Sequence, residues 1–106
     1  MAGHGQLVDE FEVGPVQVRV SHSCARRDVY ELSTSPPLSE AAMEWLRGRG
    51  VAKVDSPALL IVEVAGVHQL TVAPALGRVV AMPKLATERP EQREAAMAVA
   101  RALTAS

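Results

Sequence analysis

The chain has 106 residues, 48% of them hydrophobic and 22% charged, with a formal net charge of -1 at pH 7. That length predicts one domain able to bury a core without covalent staples, and that composition excludes global disorder. The near balance of acids and bases gives no overall pull toward nucleic acid or an anionic membrane surface.

Residues 1–8 are Gly-containing and polar and read as a flexible lead-in to a single α+β domain over 9–106. Phe11 to Ser21 reads as one strand: Val16, Val18 and Val20 alternate with Gln17, Arg19 and Ser21, and Gly14-Pro15 marks a bulge or bend. The polar stretch Ser21 to Asp28 reads as a loop, and Val29 to Thr34 as a second strand forming a hairpin with the first. Leu38, Ala41, Ala42, Trp45 and Leu46 then recur at helical spacing, with Ser35 or Ser39 as N-cap and Gly48 and Gly50 ending the helix.

Val51 to Val54 reads as a connector or an edge strand. Ala58 to Val64, Val67 to Ala73 and Arg78 to Met82 read as a three-strand meander, with turns at Ala65-Gly66 and at Pro74 to Gly77. Thr87 is placed to cap a last helix with Pro90 in its first turn and a stripe of Ala96, Val99 and Leu103 widened by Ala95, Ala100 and Ala102. The expected architecture is α+β, a single five-stranded, largely antiparallel sheet with two helices in the order β-β-α-β-β-β-α. If both helices share one face, the apolar run Ala58 to Val64 calls for a cover over the other: a partner, a second copy or the N-terminal segment.

Only Phe11, Tyr30 and Trp45 are aromatic, so the core falls to Val, Leu, Ile and Ala and the layers should pack closely. Of eleven basic residues only Lys53 and Lys84 are lysines, which with abundant alanine suggests a GC-rich, bacterial genome. The lone Cys24 excludes an intramolecular disulfide and suits a reducing compartment. Met1 to Gln6 carries no cationic apolar leader, and the run Ala58 to Val62 is too short to span a bilayer, so the expected location is the cytoplasm, away from membranes.

The chemistry-bearing residues are sparse. His22 and Cys24 lie two apart beside Arg26 and Arg27, where a thiolate would be favoured or two zinc ligands supplied, but a closed zinc site needs about four. His4 and His68 are isolated in sequence. Glu63 shares parity with Leu59 and Ile61 and, if buried, could act as an acid. Arg26, Arg27, Arg47 and Arg49 could meet phosphates or an acidic partner, although cations at Arg47 and Arg49 also suit a helix C-terminus. There is no G-x-S-x-G elbow, phosphate loop or dinucleotide fingerprint, so no catalytic, cofactor-binding or metal-ligating residue is assigned.

From Leu38 to Leu103 the order α-β-β-β-α resembles a double-stranded RNA-binding domain. That family grips phosphate with a lysine-rich start to its last helix, where this chain has Arg89-Pro90-Glu91-Gln92-Arg93-Glu94. The full order also resembles the roadblock and longin group of scaffold domains, which pair sheets or helices with partners, although the first helix of roadblock domains has no counterpart.

These readings converge on a small non-enzymatic interaction, regulatory or adaptor module with a protein partner or a second copy of itself. Its expected surface is an apolar sheet face or the alanine-rich last helix, with Arg26, Arg27, Arg47, Arg49, His68, Val99 and Leu103 as candidate interface residues and no cofactor. The alternatives are a nucleic-acid-binding domain of the double-stranded RNA type, and a small-molecule-binding domain or enzyme with a pocket between sheet and helices.

Overall fold

The computed structural model describes residues 6–22, 28–64, 68–83 and 89–105. In chain order the elements are β1 (Gln6–Val13), β2 (Val16–His22), β3 (Asp28–Ser33), α1 (Glu40–Arg47), β4 (Val51–Asp55), β5 (Leu60–Val64), β6 (His68–Ala73), β7 (Arg78–Pro83) and α2 (Arg89–Ala105), with a 3₁₀ turn at Pro74–Leu76 before β7. Among the described residues the strands form one seven-stranded sheet in the order β1-β2-β3-β7-β6-β5-β4. Every pairing is antiparallel, and two meanders join where β7 lies beside β3.

The α+β class, the antiparallel sheet and the two helices agree with expectation; the count of five strands and their order do not. The stretch Phe11 to Ser21 is not one bent strand. Gly14, at φ 56°, reverses the chain so that Val13 pairs with Val16 across a two-residue turn. A positive φ at the first turn position, followed by a proline with φ fixed near −65°, suits a tight hairpin with glycine first. The hairpin also brings Gln6 to Val8, the end of the expected lead-in, into β1. The second added strand is β4, paired with β5 at the far edge.

One face of the sheet carries the core. Val16, Val18 and Val20 of β2, Leu32 of β3, Leu60 and Val62 of β5, Leu70 and Val72 of β6, and Val79 of β7 are buried by the period-2 rule. Each such side chain contributes roughly 1.5–3 kcal/mol relative to exposure. The helices close this face. α2 lies along β1, β2 and β3, and α1 lies beside it. α2 buries Gln92, Ala96, Val99, Ala100 and Leu103, and its alanines let the helix sit close to the valine-rich strands. Thr87, the expected cap of this helix, and the turn Ala65-Gly66 lie outside the described residues.

α1 begins at Ser39, whose hydroxyl accepts the Ala42 N–H at 3.1 Å. Ser35 is not the cap, because the segment around it is tied to the turn before β7: Thr34 N–H donates to Gly77 O at 2.8 Å and Leu38 N–H to Pro74 O at 3.0 Å. The buried members of α1 are Ala42, Met43 and Leu46, with Trp45 packed half-buried at the core margin and Ala41 exposed. The helix is thus rotated slightly from its expected face, and Met43 takes the place assigned to Ala41.

Candidate functional site: the open face of the sheet

With both helices on one side, the opposite face of the sheet has no covering element among the described residues. The strand registers fix what stands on it. A central row runs Glu10, Arg19, Glu31, Val80, Thr71, Ile61, Val54 across the seven strands. On one side of this row lie Met82, Gln69, Glu63 and Val51, and on the other Gln17, Ser33, Arg78 and Ala73.

The face divides into two halves. Over β1, β2 and β3 it is mostly hydrophilic, with Glu10, Glu12, Gln17, Arg19, Glu31 and Ser33, while Leu7, 44% exposed, and the half-buried Val29 flank Ser21 at one end; Arg19 Nε sits 3.4 Å from the Glu10 carboxylate. Over β7, β6, β5 and β4 it is apolar at its centre. Val51 is 62% exposed, Met82 43% and Val54 39%, while Ile61, Thr71 and Val80 are half-buried between their cross-strand neighbours. Charges frame this half: Arg78 at one corner, and Glu63 at the opposite one with Lys53 3.5 Å away. The run Ala58 to Val64 therefore calls for less cover than its composition suggested. Leu60 and Val62 are buried and Val64 packs against the core, so Ile61 is the apolar member of β5 facing outward.

Both sheet edges are built against strand addition. β1 carries a register shift between Leu7 and Asp9 and the acids Asp9, Glu10 and Glu12; β4 carries a shift between Ala52 and Val54 with Lys53 at the irregularity. A bulge twists the hydrogen-bonding edge out of line, and a charge on it disfavours a further strand.

The candidate interface residues lie elsewhere. Arg47 Nε, at the end of α1, bonds the Asp55 carboxylate at 3.2 Å. The Arg49 guanidinium lies 4.3 Å over the Trp45 ring and donates to the Trp45 carbonyl at 3.1 Å. Val99 and Leu103 are 1% and 4% exposed, used up by the contact of α2 with the sheet. Arg26, Arg27 and Cys24 lie outside the described residues.

His68, the remaining candidate interface residue, is buried rather than on a surface. It begins β6 on the helix-covered side, in line with Leu70 and Val72, paired with Val64 and Pro83, and only 5% exposed. Burial pulls its pKa below the ordinary histidine value of 6.5. Glu63, weighed as a buried acid, is half-buried on the open face with Lys53.

His22 ends β2 with Nδ1 3.1 Å from the Asp28 carboxylate, and the Asp28 N–H donates to the buried Gln92 side chain at 3.2 Å. Close by, burial pushes the Tyr30 hydroxyl pKa up while the Arg93 guanidinium opposes it. Arg93 itself stacks 4.7 Å over Phe11 and lies 3.6 Å from Asp9. These contacts lace the start of α2 to the first three strands. Among the described residues no three His, Cys, Asp or Glu side chains converge as metal ligands, and no helix is long and apolar enough to cross a membrane.

Two hollows lie at the hairpin end of the molecule. One, of about 580 Å³, is wide and shallow, lined by Glu12, Gly14, Pro15, Gln17, Ser33, Thr34 and Ser35. The other, of about 240 Å³, shares Pro15, Thr34 and Ser35 and reaches Leu38 and Leu103 between the layers. Among the described residues Glu12 is the one charged residue lining either, and these residues assemble no acid–base pair there.

Sequence reasoning included Ile61 in the run that needed cover but missed Val51, Val54, Val80 and Met82 as surface residues. For Val80 and Met82 the signal was present, because β7 carries apolar side chains at both parities, which a one-sided sheet does not require. Four strands between α1 and α2, and three before α1, depart from the double-stranded RNA-binding order and from the single hairpin expected to precede the first helix. Compared with known proteins, the chain matches no family model, no curated protein and no solved structure.

Proposed function

We propose that this protein is a non-enzymatic interaction module, of regulatory or adaptor type, that docks another polypeptide on the open face over β7, β6, β5 and β4. The observation that carries the reading is the patch of Val51, Val54, Ile61, Val80 and Met82 on a face with no covering helix, framed by Arg78, Glu63 and Lys53. An apolar centre with a charged rim is the usual anatomy of a protein interface. The alanine-rich helix drops out of the proposal because Val99 and Leu103 are buried. Nucleic-acid binding loses support because Arg47 and Arg49 are engaged within the chain, and Glu10, Glu12 and Glu31 on the open face would repel phosphate.

A photo-cross-linking residue placed at Val80, compared with one at the exposed Arg101 of α2, tests this in the cells that make the protein. The expected result is a protein adduct from position 80, absent from position 101 and lost when Ile61→Glu is added. Equal or absent adducts at the two positions would refute the reading.

A further inference from the structure

The two hollows at the hairpin end adjoin, since Pro15, Thr34 and Ser35 line both. We infer that together they form a binding site for an organic cation on an aliphatic stem, an alkylammonium or alkylguanidinium group. The inference goes beyond the docking reading and stands apart from it, because no residue of the apolar patch lines either hollow.

The walls are held in place by bonds from four separate segments. Thr34 and Leu38 are tied to the turn before β7, and the Thr104 hydroxyl of α2 donates to the Val13 carbonyl at 3.0 Å. Two glycines permit the close approach. A Cβ on Gly14 would stand 2.8 Å from Thr104 Cγ2, and one on Gly77 would overlap the Thr34 carbonyl oxygen. Backbone fixed in this way leaves a hollow formed before any ligand arrives, as small-molecule sites usually are.

The lining selects the ligand. Glu12 carries the one charge among the described lining residues, and it forms no ion pair within the described part of the chain. Glu12, Gln17 and Ser33 stand in one row across β1, β2 and β3. The Ser33, Thr34 and Ser35 hydroxyls hold no hydrogen bond within the described part of the chain, so their oxygens are open to a donor. An ammonium brings three donors and no acceptor, which suits a carboxylate ringed by hydroxyl and amide oxygens. An anion would meet the Glu12 charge with no cation beside it. In the second hollow Leu38, Leu103, Pro15 and Pro37 supply apolar surface for the stem. Two strand spacings, about 10 Å, separate Glu12 from Ser33, and a stem of roughly four to six carbons covers most of that distance. An exposed ion pair is weak by itself, so the stem must add to it and the expected affinity is millimolar.

Titration of the full chain with pentylammonium chloride up to about 50 mM, followed by the backbone amide signals in NMR, tests the site. Sodium hexanoate, an anion on a similar stem, is the control. The expected result is a saturating shift at Gly14, Gln17, Ser33, Thr34 and Ser35 with pentylammonium and none with hexanoate. Glu12→Gln should weaken binding about fivefold, and Ser35→Lys, which places a tethered ammonium in the hollow, should block it. The spread of the amide signals shows that each variant is folded. No saturation, an equal response to hexanoate, or a Glu12→Gln chain that binds like the parent overturns the inference.

The cation has two sources, a free amine or the lysine or arginine of another chain. Native mass spectrometry of the protein from its own cells, and a photo-cross-linker at Gln17, separate them. A bound amine lost in Glu12→Gln assigns the first, and a protein adduct lost in Glu12→Gln assigns the second. A bound species of either kind that persists in Glu12→Gln overturns the inference.

Discussion

The two faces of the sheet are made from the same strands and put to opposite uses. On the helix-covered face Leu70, Val72, Leu60 and Val79 are fully buried, whereas on the other face, one residue along each strand, Gln69, Thr71, Ile61 and Val80 remain exposed or half-buried. In β5 and β7 the open face still carries valine, isoleucine and methionine. The contrast separates apolar residues that hold the fold from apolar residues that the fold does not use. The first set fills a layer with helices on it; the second is available to something outside the chain.

Substitutions on either side sharpen this contrast. The largest effect belongs to Leu70→Ala: a void between sheet and helices should cost about 2–5 kcal/mol. It would be read as a lower urea midpoint with an unchanged slope. Removing the cap of the covering layer by Ser39→Ala should cost about 1 kcal/mol. A thermal or urea scan would show it, and no effect would mean that the bond from Ser39 to the Ala42 amide contributes nothing.

Titration of the covered face through His68 comes next. The folded chain holds its ring neutral and its pKa below 6.5, while the unfolded chain takes up a proton near 6.5. The stability tied to the neutral ring is therefore whole above pH 6.5 and is lost as the pH falls from there toward the lowered folded value. His68→Leu should flatten that part of the stability-versus-pH curve, and an unchanged curve would place the ring in water. The smallest effect is expected at Val80→Thr on the open face, under about 1 kcal/mol in stability. A larger loss would mean that this face also holds the fold.

Much of the fold was legible, and the failures share a cause. The alternation in Val16 to Val20 and in Leu70 to Val72 could be read because one face is buried and the other wet, so polarity reports parity directly. Gly14-Pro15 was misread because a bulge and a two-residue hairpin use the same residues, and only the later pairing of Val13 with Val16 tells them apart. β4 offered no signal of parity at all, since all five of its residues are exposed and its membership comes from pairing with β5.

The candidate site was legible only in outline. The expectation of an uncovered greasy face came from the run Ala58 to Val64, but Leu60, Val62 and Val64 of that run turned inward, and the patch is completed by Val80 and Met82 of β7 and by Val51 and Val54 of β4. Residues brought together from three separate strands leave no spacing in the sequence. The arginine pairs, conspicuous in the sequence, are in the case of Arg47 and Arg49 satisfied locally by Asp55 and Trp45.

Two methionines provide the most direct test of the difference between the faces. Met43 is 5% exposed within the core and Met82 is 43% exposed on the open face. Hydroxyl-radical oxidation, read by mass spectrometry, can be compared between the dilute purified chain and the chain in its own cells. The account predicts that Met82 reacts fast when dilute and slowly in the cell, while Met43 is slow in both. Equal reactivity of Met82 in the two settings would contradict it, because the open face would then be water-covered where the protein works.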